Sequence, residues 1–246
     1  MSPSKISRFA LPSLLTLTSR ASMAPLAVGL ALIAGAGCRA GQGDGGVPTP
    51  PAEAIEELPN DTLRDGHRVR PGHIIDGDTL DVLLGEDEHK VRLLGMNAPE
   101  CRKSSRTVDG RRRNACTEDD ELWGMASYEL LVSLVEGREA TVRCDVGRPG
   151  DPCPTDRYRR TLAYLEFDDV GDVGLRLIEE GAAMPFTRFD AGRLGRYCQA
   201  ERAAQAAGRG MWAGRTVEQV LAGMSDNTRQ WYADHHSRCD EAMRGL

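Results

Sequence analysis

TLDVLLGEDEHKVRLL, residues 79–94, alternates apolar and polar side chains on both sides of a Gly-Glu-Asp turn at residues 85–87. Such alternation places one face of each strand in a core and the other face in solvent. The stretch therefore predicts two antiparallel strands joined by a tight turn. Two further short runs, residues 140–143 and 161–165, predict additional strands later in the chain.

Helical periodicity follows in three segments, residues 122–136, 173–180 and 191–207, and each is followed by a glycine. Glycine directly after a periodic segment is a common helix stop. The order of strands, helix, strands and helices predicts an α+β fold in which a small β-barrel carries packed helices. The folded domain is predicted to span residues 67–214. A helical C-terminal extension of unknown purpose follows it over residues 215–246.

The N-terminal region is typical of an exported protein. Basic residues precede an apolar run over residues 24–36, which ends in small residues just before Cys38. This order predicts a signal segment over residues 1–38. Gly35-Ala36-Gly37-Cys38 also resembles a lipoprotein box, although Gly35 stands where Leu is usual, so lipidation of Cys38 is a second hypothesis. Residues 39–66, rich in Gly, Pro and acidic residues, are interpreted as a linker.

Six cysteines remain when Cys38 is set aside, and an even set in an exported protein favours disulfides. Many connectivities are possible, and a sequential pairing is preferred. A zinc site is the competing interpretation, but no CxxC pair supports it, and the adjacent His235 and His236 are placed in a polar tail. The preferred pairs are Cys101–Cys116, Cys144–Cys153 and Cys198–Cys239.

The overall charge is acidic, since 31 Lys and Arg stand against 37 Asp and Glu, giving −6. This balance excludes binding of nucleic acid by general charge neutralisation, but it permits a local phosphate site. Residues 101–121 form a long predicted loop that carries six cations, among them Arg102 and Lys103. The loop is interpreted either as a substrate-binding element or as a solvated surface loop closed by a disulfide.

Chemically useful side chains cluster at the ends of the predicted strands. Residues 76–79 (Asp-Gly-Asp-Thr) and 97–100 (Asn-Ala-Pro-Glu) provide hard oxygen donors that suit a cation such as Ca²⁺. Arg92 lies between them, and residues 156–161 contribute a second arginine, Arg160. Guanidinium groups bind phosphate in bidentate fashion, so the set contains the groups that phosphodiester hydrolysis needs.

Read together, IIDGDTLDV, VRLLGMNAPE, DRYRRTLAYL and AERAAQAAGRGMW resemble the staphylococcal-nuclease family in motif and in order. The resemblance runs from about residue 73 to residue 212. It implies a five-stranded OB-fold barrel with about three helices, and Ca²⁺-dependent hydrolysis of DNA and RNA phosphodiesters.

The resemblance also implies roles for individual residues. Glu100 matches the carboxylate that orients or deprotonates the attacking water, and Arg92 and Arg160 match the two arginines that bind the phosphate. Four further positions match the surroundings of the metal. The catalytic residues are Glu100, Arg92 and Arg160; the metal ligands are Asp78, Asn97 and the backbone carbonyl of Ala98, with Asp76 in the outer shell.

Other positions are assigned to substrate binding or depart from the family pattern. Tyr158 is interpreted as a phosphate-site tyrosine or as a packed strand residue. Arg159 stands where Gly is usual, and is expected either to extend contact with nucleic acid or to crowd the site. Arg102 and Lys103 are predicted to bind substrate. Asn97 replaces an Asp and removes one negative charge, which predicts weaker or altered metal affinity.

The sequence therefore predicts a Ca²⁺-dependent nuclease, secreted or lipid-anchored outside the cytoplasm, which acts on DNA or RNA as a monomer without a protein partner. The alternative is a non-catalytic module of the same fold that binds nucleic acid or a protein.

Overall fold

The computed structural model describes residues 62–108 and 110–246. The predicted signal segment, Cys38 and residues 39–61 of the predicted linker lie outside this range. Among the described residues, no helix combines the length and the apolar character needed to cross a membrane.

A closed barrel of five strands forms the centre of the fold. Strands β1 (Arg68–Ile74), β2 (Thr79–Leu84) and β3 (Asp87–Leu93) are antiparallel neighbours. Strand β7 (Ala140–Arg143) pairs with both β1 and β8 (Thr161–Phe167), and the parallel pairing of β3 with β8 closes the barrel. The predicted α+β fold with a five-stranded OB-type barrel is confirmed. The strands are β1 (Arg68–Ile74), β2 (Thr79–Leu84), β3 (Asp87–Leu93), β4 (Met96–Asn97), β5 (Cys101–Val108), β6 (Arg111–Asp119), β7 (Ala140–Arg143), β8 (Thr161–Phe167), β9 (Gly171–Asp172) and β10 (Met184–Pro185).

The predicted strand pair of residues 79–94 is present as β2 and β3, and its apolar residues Leu80, Val82 and Val91 are completely buried in the barrel. Strand β1 was not predicted. The predicted long loop of residues 101–121 is wrong, because β5 and β6 form a two-stranded antiparallel sheet of eight registered pairs, with a register shift between Arg102 and Lys103. We call this sheet, residues 101–119, the basic hairpin.

Three helices pack on the barrel and three more form the extension. The predicted stops at residues 137, 181 and 208 are confirmed, since each glycine adopts a positive φ after its helix. Gly124 opens the first helix where a β-carbon would lie 2.2 Å from the carbonyl oxygen of Glu100, so the helix approaches this strand end closely. The helices are α1 (Gly124–Val135), α2 (Val173–Glu179), α3 (Leu194–Ala206), α4 (Val217–Ala222), α5 (Asp226–Tyr232) and α6 (His235–Met243).

The three preferred disulfides are present: Cys101–Cys116 inside the basic hairpin, Cys144–Cys153 after β7, and Cys198–Cys239 between α3 and α6. Because all six cysteines are paired, the zinc interpretation loses its thiolate ligands. The placement of His235 in a polar tail was also wrong, since His235 is 0% exposed and contacts Glu201 at 2.5 Å.

Candidate active site

The turn between β1 and β2 carries two buried carboxylates. Asp76 and Asp78 are 8% and 6% exposed. Between them, Gly77 packs so closely that a β-carbon would lie 2.7 Å from that of Ala98 and 2.9 Å from that of Ser127. A side chain at position 77 would push the turn away, so the glycine is what brings Asp78 against the strand end at Ala98.

Asp78 is fully engaged by protein donors. Its Oδ1 accepts the hydroxyl of Thr79 at 2.9 Å, and its Oδ2 accepts the backbone N–H of Ala98 at 3.0 Å and forms an ion pair with Nη1 of Arg92. The pairing of Thr79 with Arg92 in the β2–β3 register places this arginine beside Asp78.

Arg92 also reaches the second predicted metal ligand. Its Nη2 donates to Oδ1 of Asn97 at 2.9 Å, and the amide of Asn97 donates to the carbonyl oxygen of Ala98 at 3.1 Å. The structure thus brings Asp78, Asn97 and Ala98 together as predicted, and adds that one guanidinium lies across the two side chains. Asn97 is suited to this contact because its amide oxygen accepts from Arg92 without adding a further buried charge.

Lys103 reaches the remaining two carboxylates. Its Nζ lies 2.9 Å from Oδ2 of Asp76 and 3.1 Å from Oε2 of Glu100. The Cys101–Cys116 disulfide fixes this arrangement, since Cys101 follows Glu100 and Cys116 is the cross-strand partner of Lys103. Lys103 was predicted to bind substrate, and in the structure it is a counter-ion of two carboxylates of the cluster. Arg102 pairs with Glu118 across the hairpin at 2.6 Å.

The protonation of this cluster reflects its excess of carboxylates. Burial raises the pKa of Asp78 to about 7, and the charges of Asp76 and Glu100 add to this effect while Arg92 opposes it. Burial also acts to raise the pKa of Asp76, but the attraction of Lys103 and Arg92 is stronger and holds that pKa below its ordinary value. Three carboxylates, Asp76, Asp78 and Glu100, also stand against two protein cations, Arg92 and Lys103, so the protein alone does not neutralise the cluster.

The second arginine is held by a carboxylate that the sequence analysis did not single out. Nε of Arg160 donates to Oδ2 of Asp156 at 2.8 Å, and Oδ1 of Asp156 accepts the backbone N–H groups of Tyr158 and Arg160. Arg159, between them, has φ 63°, a left-handed conformation that favours glycine. An arginine at this position, where Gly is usual in the family pattern, therefore adds backbone strain.

Tyr158 is exposed, not packed as a strand residue. Its ring is 64% exposed, and the guanidinium carbons of Arg157 and Arg160 lie 4.8 Å and 5.5 Å from its centroid. Cation–π contacts of this kind hold the aromatic ring beside the guanidinium of Arg160.

Arg92 and Arg160 line one groove of about 320 Å³. Residues 186–190, which we call the groove wall, contribute Phe186, Phe189 and Asp190 to the lining of the groove, and Phe189 is 63% exposed. These aromatic residues were not predicted, because an isolated Phe in a segment without periodicity carries no signal. The groove therefore combines two arginines with an exposed aromatic surface.

The oxygen donors fit a hard divalent cation. Asp76, Asp78, Asn97 and the carbonyl of Ala98 are oxygen ligands of the kind that Ca²⁺ prefers. With Glu100 beside them, three carboxylates stand against the two cations Arg92 and Lys103. The other cluster with ligand-type side chains among the described residues, Glu201, His235 and Cys239, does not fit, because Cys239 is disulfide-bonded.

Residues 90–214, half of the chain, match the family model described as staphylococcal nuclease homologue. The chain is also similar to an uncharacterized endonuclease of Haemophilus influenzae, with 29% identity over 151 residues that cover 61% of this chain and 68% of that protein. Arg92, Asn97, Glu100 and Arg160 lie inside the family match, whereas the Asp76–Asp78 turn precedes it and the extension follows it. The chain belongs to the staphylococcal nuclease homologue family.

Proposed function

We propose that this nuclease cleaves the phosphodiester bonds of DNA or RNA with the help of Ca²⁺. The observation that carries the proposal is the convergence of Arg92 and Arg160 on one groove beside a buried, under-neutralised carboxylate cluster. An endonuclease activity is named for the Haemophilus relative, and this agrees with the proposed reaction.

The side chains divide the work as follows. Arg92 and Arg160 would bind the non-bridging phosphate oxygens, each through a planar fork of N–H donors. Glu100, half-exposed at the entrance of the cluster, would accept a hydrogen bond from the attacking water and orient it. As the water oxygen bonds to phosphorus and the P–O bond to the leaving group breaks, the water loses a proton to solvent and the leaving oxygen takes one from solvent. The two guanidinium groups would stabilise the charge that develops on the phosphate oxygens.

A divalent cation bound by Asp78, Asn97 and the carbonyl of Ala98, with Asp76 in the outer shell, would supply further charge neutralisation. Arg92 would exchange its contacts with Asp78 and Asn97 for contacts with the phosphate. Phe189 offers an exposed ring on which a nucleobase can stack. Tyr158 and Arg159 would contact the adjoining phosphates.

We also propose that the protein works outside the cytoplasm as a monomer. Three disulfides among the described residues suit an oxidising compartment. Arg92, Arg160 and the carboxylate cluster all belong to one chain, which supports the proposal of a monomer. Lipidation of Cys38 stays a prediction.

The test is degradation of single-stranded DNA and of RNA by the purified full-length chain, with Ca²⁺ or with a chelator. Glu100→Gln is the test variant, and Glu129→Gln, which alters an exposed carboxylate on α1, is the matched control. We expect Ca²⁺-dependent degradation in the wild type and in the control, and a loss of at least about 100-fold in Glu100→Gln. Nucleic-acid binding without degradation under any metal would favour the non-catalytic module instead.

A further inference from the structure

The C-terminal extension, residues 215–246, is part of the folded core although the family match ends at residue 214. Its helices α4 and α5 begin at capped residues, Thr216 with a capping box and Ser225 with a hydroxyl that accepts the N–H of Thr228. The apolar side chains of the extension complete a cluster with β10, α3 and the 3-10 turn that follows α3. The buried members are Met184, Ala204, Met211, Trp212, Val220, Met224, Trp231 and Tyr232.

One contact of the extension leads to Glu100. Glu121 is 3% exposed, and its Oε1 accepts the N–H of Ser225 at 2.7 Å and the hydroxyl of Thr228 at 3.0 Å. Its Oε2 accepts the N–H of Glu100 at 2.9 Å, and its own N–H donates to the carbonyl of Glu100 at 2.8 Å. One buried carboxylate therefore joins the start of α5 to the backbone of the residue that orients water.

A second set of contacts leads to the groove wall. The ring of Trp231 on α5 packs edge-on against Phe186, with centroids 5.2 Å apart, and Phe186 contacts Phe189 in the same manner at 5.7 Å. Arg238 on α6 donates from Nε to the carbonyl of Thr187 at 3.3 Å and from Nη2 to Asp190 at 2.5 Å. The wall is therefore supported from behind by α5 and α6.

The extension is itself fixed to α3. The Cys198–Cys239 disulfide joins α3 to α6, and His235 is enclosed by Glu201, by the stacked ring of Tyr232 at 4.0 Å and by Thr187. Both sets of contacts thus start from the extension, which is anchored by a disulfide and by a buried hydrogen bond between His235 and Glu201.

We propose that the C-terminal extension is a positioning element of the active site: Glu121 fixes Glu100, and Arg238 fixes the groove wall. The proposal rests on the proposed nuclease function. Loss of the Glu121 contact should lower kcat, because Glu100 acts in the chemical step. Loss of the Arg238 contact should raise KM, because the groove wall acts in substrate binding.

The test is steady-state kinetics of full-length variants on single-stranded DNA. Glu121→Gln places an amide N–H against a backbone N–H, and we expect kcat to fall about 30-fold with KM unchanged, since small misplacements of a reacting group are costly. Thr228→Val, which removes only the extension's hydroxyl from Glu121, should lower kcat about threefold with the fold intact. Arg238→Met should raise KM about fivefold and leave kcat unchanged. Arg202→Met is the matched control, because it breaks an α3–α6 ion pair with Asp240 that touches neither the wall nor Glu100.

A binding measurement separates this proposal from the proposed function. The dissociation constant of a fluorescent oligothymidylate in chelator should rise in Arg238→Met and stay unchanged in Arg202→Met. If the wild type cleaves nothing, the proposed function fails, while this binding comparison still tests the wall. If all four variants only lower the melting temperature and leave kcat, KM and the dissociation constant unchanged, the extension is merely structural and the proposal is overturned.

Discussion

The raised pKa of Asp78 makes the stability of the metal-free protein depend on pH. Folding moves this pKa from 3.8 to about 7, which corresponds to about 4 kcal/mol at about 1.4 kcal/mol per pH unit. Because the pKa is raised, the contribution to stability is fully present below pH 3.8 and is lost as the pH rises through about 7. Between pH 5 and pH 8 the wild type should therefore lose about 3 kcal/mol from this group.

The perturbation is Asp78→Asn, which cannot titrate. Its absolute stability also reflects the lost ion pair with Arg92, so the informative quantity is the change in unfolding free energy with pH. The attraction of Arg92 is already included in the pKa of Asp78, so that change needs no separate correction for the ion pair. Asp168→Asn, which alters a carboxylate that is 85% exposed, is the control.

The assay is urea unfolding followed by tryptophan fluorescence in chelator at pH 5, 6.5 and 8. We expect the wild type and Asp168→Asn to lose stability over this range, and Asp78→Asn to lose about 3 kcal/mol less. Equal pH dependence in all three proteins would refute the account of the cluster as under-neutralised. Excess Ca²⁺ should stabilise the wild type at pH 8 and have little effect on Asp78→Asn.

Four further outcomes are expected. Arg92→Lys should lower turnover about 100-fold with the fold intact, because an ammonium lacks the bidentate fork; nuclease kinetics beside circular dichroism check this. Lys103→Met removes a competing cation and should tighten Ca²⁺ binding about tenfold by calorimetry, and unchanged affinity would contradict its role as a counter-ion. Arg159→Gly should raise the unfolding free energy by about 1 kcal/mol, measured in urea, because it relieves a positive φ. Reduction of the disulfides should lower the melting temperature, since each contributes about 2–4 kcal/mol; an identical melting curve in reductant would reject them as stabilising links.

The strands that could be predicted are those with one buried face. In β2 and β3 the buried apolar residues Leu80 and Val82, and Val91 and Leu93, recur at every second position, and the sequence shows this period directly. Strand β1 carries Pro71 and Gly72, and its pairing shifts register between Pro71 and Ile74, so the pattern is interrupted where the strand is bent. Strand β5 of the basic hairpin has one buried residue, Cys101, and no repeating set of buried apolar side chains. Hydrophobic periodicity therefore cannot reveal the hairpin.

In the site, residue types could be predicted but their pairing could not. Carboxylates and cations near strand ends mark a phosphate or metal site, yet which cation reaches which carboxylate depends on distances set by the fold. The register shift between Arg102 and Lys103 also could not be predicted, and it alters which cross-strand neighbour each hairpin residue faces. Glu121 was missed for a different reason: its partners, Ser225 and Thr228, lie more than 100 residues away in the chain.

The local charge of the site bears on how an acidic protein binds nucleic acid. The cations of the basic hairpin are directed inward or sideways: Lys103 to Asp76 and Glu100, Arg102 to Glu118, and Arg113 to Asp81 and Glu88. At the site, three carboxylates face two protein cations, which leaves one negative charge where the phosphate must bind. A bound divalent cation would reverse that sign without moving any side chain out of the site. We therefore expect the cation to govern substrate affinity as well as the chemical step, because without it the local field repels the phosphate that Arg92 and Arg160 are placed to bind.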